Sequence, residues 1–329
     1  MTDVITIENL VKDYGRVRAL DGLNLSITPG EVHGLLGPNG AGKTTTIRIL
    51  LGLLRPTSGT VRLFGEDPAA EAVALHRRLA YVPGDVELWP NLTGGEAIDV
   101  FTRLRGGADR SLVESLAERF DLDLRKKGRT YSKGNRQKVA LVAALASEVD
   151  LLVLDEPTAG LDPLMEAVFQ ECISEAKAAG TSVLLSSHIL AQVEVLADRV
   201  SIVRAGQTIE TGTLAELRHL TRTSVTVTTE QPADALADLP GVHGLAVEDG
   251  QTRFEVDGEH VPTVLQQLAP LGVRSIVAHP PTLEQLLLRH YGTGDGVPSA
   301  GAARPADRAR PAEPARGDHT SATTSRSGR

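Results

Sequence analysis

The sequence predicts an α/β core built on a parallel sheet and interrupted by a helical insert, followed by a small α+β domain. Three observations carry that prediction. Segments 32–36, 151–154, 182–186 and 200–204 are predominantly apolar and alternate with helical patterns, as parallel strands covered on both faces do. A glycine-rich loop lies between the first of these strands and a helix over 43–51. After about Leu220 the pattern changes to four short strands interleaved with two helical stretches, in the order βαββαβ, which is that of a ferredoxin-like domain.

Each element follows from local pattern. Residues 4–11 and 17–27 alternate apolar and polar, the mark of half-buried strands. Pro29-Gly30 makes a turn, and Pro56-Thr57-Ser58-Gly59 breaks the helix that follows the glycine loop. Residues 59–64 read as a short strand pair and 69–79 as a helical stretch. From about 87 to 147 apolar residues recur at spacings of three and four, so the helical insert occupies that span. The first domain is therefore expected to span 1–221 and the second 222–291. Within the second, strands fall at 224–229, 242–247, 252–256 and 274–278, helices at 233–239 and 261–271, and a capping helix at 282–290. Residues 292–329 are rich in Gly, Ala, Pro, Ser and Arg without apolar periodicity, so a disordered tail is expected there.

Composition narrows the function. Of 329 residues, 41% are hydrophobic, enough for a packed core, and the formal charge is −8. That balance does not indicate a sequence-wide basic surface, and no nucleic-acid partner is expected. Cys172 is the single cysteine, which excludes an intramolecular disulfide and fits a reduced, cytoplasmic setting. The opening residues carry neither a basic region nor an apolar run, so no signal peptide is expected. No stretch approaches the roughly 18 apolar residues of a membrane span. Work at a membrane would need a partner.

The chemistry concentrates in two places. Gly37-Pro38-Asn39-Gly40-Ala41-Gly42-Lys43-Thr44 matches the phosphate-loop pattern in full. Its glycines let backbone N–H groups curl round phosphates, Lys43 reaches the β- and γ-phosphates, and the Thr44 hydroxyl suits Mg²⁺. Thr45, next in the helix, belongs to the same phosphate-binding group, at a helix N-terminus that favours anions. Leu151-Leu152-Val153-Leu154-Asp155-Glu156 is an apolar strand ending in two carboxylates, which are costly to bury without compensation. Asp155 is the natural Mg²⁺ partner, and Glu156 the general base for a water attacking the γ-phosphate.

With these motifs in order, the chain resembles the ATP-binding cassette (ABC) ATPases over about residues 4–220. Asp155-Glu156-Pro157-Thr158-Ala159-Gly160-Leu161-Asp162-Pro163 is similar to the family's run from the Walker B acidic pair through the D-loop, which implies a place for Asp162 at the dimer interface. Ser186-Ser187-His188 is similar to the family's switch histidine, and Tyr14 to its adenine-stacking aromatic. Tyr131-Ser132-Lys133-Gly134-Asn135 resembles the family signature, in which a serine hydroxyl and a glycine N–H face ATP held by a second subunit. The resemblance implies a P-loop ABC ATPase: a RecA-like core, an antiparallel β lobe and the helical insert. It also implies catalytic roles for Lys43, Glu156 and His188, ATP and Mg²⁺ as cofactors, and Ser132 and Gly134 completing the site of a homodimeric partner. A separate integral-membrane permease would carry the cargo, placing the chain at the cytoplasmic face of the membrane.

Two positions depart from the family pattern. Glutamine usually follows the segment matching Tyr81-Val82-Pro83, and here Gly84 stands there. Water, Asp85 or Glu87 then has to complete the metal shell. Lys133 replaces a glycine of the signature. Signatures with the Ser-Lys-Gly-Asn-Arg-Gln form resemble those of bacterial drug and antibiotic exporter ATPases, so export of a small molecule is the implied function. Trp89, the single tryptophan, either flanks a groove for a permease helix or packs inside the insert. The C-terminal domain resembles the appendage of those exporter ATPases, with assembly, dimer contact and plain stabilisation all open. A translation or repair ATPase is the rival class, opposed by the single cassette and by the lack of sustained heptads. A nucleotide-sensing scaffold is a third reading, opposed by Glu156 and His188.

Overall fold

The computed structural model describes residues 2–219, 222–248 and 250–279. Strands β1 (Ile5–Tyr14) and β2 (Val17–Ile27) form an antiparallel pair, and β4 (Ser58–Leu63) adds to the other side of β1 in a three-stranded sheet. The second sheet has six strands: β3 (Val32–Leu36), β5 (Leu79–Val82), β6 (Leu151–Asp155), β7 (Ser182–Ser187), β8 (Arg199–Arg204) and β9 (Gln207–Thr213). Their order is β5-β6-β7-β3-β8-β9, parallel except for the antiparallel edge strand β9.

The pleat explains why these strands read as continuous apolar runs. On β6, Leu152 and Leu154 join the core on one face, while Leu151 and Val153 join the core on the other. On β7, Val183 and Leu185 face one side and Leu184 the other. Alternate residues are both buried because both faces are covered. One face packs against α1 (Lys43–Leu50) and the antiparallel lobe. The other packs against α5 (Lys133–Leu145), α6 (Pro163–Ala178) and α7 (Leu190–Leu196). Helices α3 (Gly94–Arg103) and α4 (Arg110–Arg119) complete the insert with α5. A capping box starts α3: the Thr93 hydroxyl accepts from Glu96 N–H, and the Glu96 carboxylate accepts from Thr93 N–H.

A short helix, α8 (Leu214–His219), follows β9. A separate four-stranded antiparallel sheet then contains β10 (Arg222–Thr229), β11 (Val242–Glu248), β12 (Gln251–Asp257) and β13 (Val273–His279), ordered β11-β12-β10-β13. With α9 (Val261–Leu268) before β13, the strand order and second crossover are those of the expected βαββαβ arrangement, while a 3₁₀ turn takes the place of its first helix. Its core joins Val225, Val227, Phe254 and Val256 to Leu236, Val264 and Leu268.

The structure corrects three local expectations and adds one strand that the sequence did not show. Residues 59–64 form one strand, β4, whose expected companion is a single bridge between Leu63 and Glu66. The helix over 69–79 shrinks to α2 (Ala72–His76), and Leu79 instead opens β5, an edge strand of four residues and too short to show a period. Strand β9 gives no clear signal in the sequence because its exposed edge carries polar residues. The helix over 233–239 is a 3₁₀ turn, Asp234–Asp238. Pro240 holds Leu239 extended at φ −74, ψ 142, which stops a helix from propagating. The capping helix expected at 282–290 and the tail at 292–329 lie outside the described residues.

Candidate nucleotide site

Parallel register brings the functional residues to one edge of the sheet. Leu36 pairs with Ser187 and Asp155 with Ser186. The loop after β3, the acidic pair ending β6 and the histidine after β7 therefore emerge level with one another, at the carboxyl ends of the strands where α/β sheets bind ligands. Lys43 opens α1 and is 5% exposed. Its ammonium donates to the carbonyls of Gly37 (2.8 Å) and Pro38 (3.2 Å) and lies 3.7 Å from Glu156 Oε1. His188 Nδ1 approaches the same Glu156 oxygen at 3.2 Å. Lys43, Glu156 and His188, more than a hundred residues apart at the extremes, form one cluster.

Backbone conformation aims Glu156. It adopts φ +49, a left-handed geometry costly for a residue with a Cβ and typical of functional sites. Its N–H donates to both the carbonyl (3.1 Å) and the hydroxyl (3.2 Å) of Ser186. The Ser186 hydroxyl also donates to Asp155, whose carboxylate is buried. Burial draws the Lys43 ammonium below the ordinary lysine value, opposed by the charges of Glu156 and Asp155. The Tyr81 phenol is pushed up to about 12 by burial, with the Asp155 charge adding to the effect. The hydroxyl of Thr44 and the carboxylate of Asp155 are hard oxygen donors that suit Mg²⁺. Among the described residues no cluster of three or more His, Cys, Asp or Glu side chains could hold a metal ion.

A second group gathers around the start of α5. Ser132 caps the helix by accepting from Asn135 N–H at 3.2 Å. A Cβ on Gly134 would lie 2.5 Å from the Gly160 carbonyl, so the signature turn and the loop before α6 touch backbone to backbone. Asp162 caps α6 by accepting from Met165 N–H at 3.0 Å. Lys133 is exposed. Tyr14 ends β1, 45% exposed, with the Lys12 ammonium 5.1 Å from its ring centroid.

Three further contacts bear on the site. The two-residue turn Ala205-Gly206 joining β8 and β9 lies against the phosphate loop: Gly206 N–H donates to the Ala41 carbonyl at 3.0 Å, and its own carbonyl accepts from Asp21 N–H at 2.9 Å. Gly84 lies against the acidic pair, since a Cβ there would sit 3.1 Å from the Asp155 carbonyl and 3.6 Å from Glu156 Cβ. Arg136 on α5 donates to the Val86 carbonyl at 3.1 Å, holding the loop after Gly84 to the insert. Asp85 and Glu87 are both exposed, and Glu87 lines a cavity of about 340 Å³ with Tyr81, Phe101 and Arg105. Trp89 is 49% exposed with its ring tilted against Phe101 at 5.5 Å. It thus has features of both readings, one face on the insert and one in solvent.

A phosphate loop, an acidic pair and a histidine meeting at the end of such a sheet define a nucleotide-hydrolysing cassette. The family model described as "ABC transporter" matches residues 20–159, and that of the "ATP-binding protein DrrA1-3-like, C-terminal domain" matches residues 212–291. The chain is 37% identical over 305 residues to the daunorubicin resistance ATP-binding protein DrrA3 of Streptomyces coeruleorubidus, covering 88% of this chain and 96% of that one. It is 37% identical to the bacitracin transport ATP-binding protein BcrA of Enterococcus faecalis, across 68% of this chain and 73% of that one. Among solved structures, an ATP-binding subunit of an ABC transporter superposes with a TM-score of 0.62 at 33% identity, covering 66% of this chain and 92% of that one. A post-hydrolysis dimer of an ATP-binding cassette bound to ADP and Pi shares the fold, with a TM-score of 0.58 at 23% identity and coverage of 64% and 98%. The chain belongs to the ABC transporter ATP-binding proteins, and it is an ATPase of that family.

Proposed function

We propose that this chain powers export of a drug, antibiotic or other small molecule through a separate membrane permease, working as a homodimer. The observation that carries this reading is the convergence of Lys43 and His188 on one oxygen of Glu156. Lys43 binds the β- and γ-phosphates, with backbone N–H groups of the glycine loop and the start of α1 lining the phosphate chain. Tyr14 stacks on adenine. Glu156 accepts the proton of the attacking water, and His188 holds the γ-phosphate end of the site. Thr44 and Asp155 would hold Mg²⁺, which neutralises phosphate charge when bound. Ser132 and Gly134 complete the partner subunit's site.

The curated relatives are named for daunorubicin resistance, bacitracin transport and Nod factor export, which supports the exporter reading for this chain. No helix among the described residues is long and apolar enough to cross a membrane, so the permease supplies the path and holds this subunit at the cytoplasmic face. The cavity lined by Tyr81, Glu87 and Phe101, flanked by Trp89, is the surface offered to it. The division into a cassette over 1–221, an accessory domain over 222–291 and a tail from 292 belongs to the same reading. The test is Glu156→Gln. It removes the proton acceptor but keeps volume and most hydrogen bonds, so ATP hydrolysis should fall by about a hundredfold or more while ATP binding persists. Light scattering with ATP and Mg²⁺ should then show a trapped dimer. Hydrolysis at the parental rate would refute the role of Glu156, and a monomer under those conditions would refute the homodimer.

A further inference from the structure

We propose that Gln192 is a positioning residue of the ATPase, whose side-chain amide ties the strand end carrying His188 to the segment carrying Asp162. The inference rests on the role proposed above for His188 and on the likeness of the segment carrying Asp162 to the family's dimer loop. Gln192 lies on α7, three elements converge on its amide, and it belongs to no motif. Its Oε1 accepts from the Thr158 hydroxyl at 2.7 Å and from the Ser187 hydroxyl at 3.4 Å. Its Nε2 donates to Glu166 Oε1 at 3.0 Å. Thr158 lies two residues after Glu156, Ser187 directly precedes His188, and Glu166 sits in the first turn of α6 that Asp162 caps.

Each partner is itself fixed to the site. The Ser187 hydroxyl accepts from Ile189 N–H at 2.9 Å, which shapes the turn bearing His188. Its one proton is shared between the Ile189 carbonyl at 3.2 Å and Gln192. Glu166 N–H donates to the Asp162 carbonyl at 2.9 Å, and Leu161 N–H donates to the Thr158 carbonyl at 3.0 Å, so the 158–162 loop is held at one end by its own turn and at the other by the start of α6. A shift of either loop therefore pulls on the other through one amide.

The chemistry at position 192 is directional. Two hydroxyls need an acceptor and a carboxylate needs a donor, and the amide offers these on two separate atoms, Oε1 and Nε2. Glutamate at 192 keeps the acceptor but sets two carboxylates at hydrogen-bond distance, where they repel. The defect has a specific remedy: with glutamine at 166 and glutamate at 192, the donor moves to the other side and every bond can re-form.

The experiment measures steady-state ATP hydrolysis and thermal unfolding of the full chain as Gln192→Glu, Glu166→Gln/Gln192→Glu and His188→Ala. Gln192→Glu should lower kcat about tenfold or more with KM for ATP within about twofold, because misplaced groups cost rate while the phosphate loop is untouched. The double variant should return kcat to within about threefold of the parent, since the reversed pair restores the interaction. A parental kcat in Gln192→Glu overturns the proposal, as does a double variant as slow as Gln192→Glu while melting like the parent. If Gln192→Glu does not fold, the folded double variant decides alone, with parental kcat in support and a low kcat against. His188→Ala separates the two levels. If it is inactive while Gln192→Glu is parental, the bridge fails and the reading of the site stands. If His188→Ala is itself parental, the role of His188 fails and takes the bridge with it.

Discussion

Replacing Gly206 with alanine should loosen the phosphate loop from a position that no motif marks. The turn Ala205-Gly206 takes φ +47 and φ +78, the positive values at both central residues that a tight two-residue hairpin demands. An alanine at 206 pays roughly 1–2 kcal/mol for the left-handed conformation. Its Cβ would also lie 2.6 Å from the Ala19 carbonyl, 2.7 Å from Leu20 Cα and 3.0 Å from Asp21 N. All three are backbone atoms that cannot rotate away, and overpacking of that kind costs roughly 1–3 kcal/mol. The total is about 3 kcal/mol, which for a cassette of this size lowers Tm by about 6–12 °C. Relief comes only by moving the turn, which strains the bonds from Gly206 N–H to Ala41 and from Asp21 N–H to Gly206. KM for ATP should therefore rise several-fold, with kcat at saturating ATP less affected. Differential scanning fluorimetry and steady-state kinetics read both effects. A Gly206→Ala protein with parental Tm and parental KM would refute the claim that this turn buttresses the loop.

Two further outcomes are expected. Gly84→Gln places a Cβ 3.1 Å from the Asp155 carbonyl, so the acidic pair must yield by a few tenths of an ångström as the amide is added. Both the ATPase rate and its Mg²⁺ dependence should change, and finding both unchanged would show that position 84 plays no part in the site. Glu31 offers a pH test. Burial alone would raise its carboxyl, but hydrogen bonds with His33 (2.6 Å) and from Thr28 hold it down to about 2. A carboxyl depressed in the folded state stabilises above its unfolded value near 4.5 and loses that contribution as pH falls toward 2, here about 3 kcal/mol in all. In urea unfolding, the stability gap between the parent and Glu31→Gln should shrink between pH 5 and pH 3, and a constant gap would contradict the assignment.

Legibility in the sequence followed the range of the interaction. The strands 32–36, 151–154 and 182–186 could be read because burial on both faces leaves each with consecutive apolar residues in place of an alternating pattern. Strands β5 and β9 could not, since both are sheet edges, one four residues long and the other lined with polar residues. The turn at Asp234–Asp238 was read as helix because its composition is helical and the controlling residue, Pro240, acts from outside it. Of the site residues, Lys43, Glu156 and His188 were named from pattern, and the structure brings those three together. Trp89 shows the limit: composition left two environments open, and the fold gives the ring a share of each.

The sequence by itself determined which chemical groups are present and on which element each one rides: a lysine after a glycine loop, two carboxylates and a histidine at strand ends. Those assignments need only local pattern, because each group is tied to the conformation of its own segment. The tertiary structure alone decided what those groups press against. Sheet register sets Asp155 level with Ser186 and Leu36 level with Ser187. Backbone approach leaves no space for a Cβ at Gly206 and little at Gly84. Gln192 joins a loop, a strand end and a helix through one amide. Such contacts depend on distances between segments far apart in the chain, and a residue that matters for the atom it lacks or for two distant neighbours leaves no periodic trace.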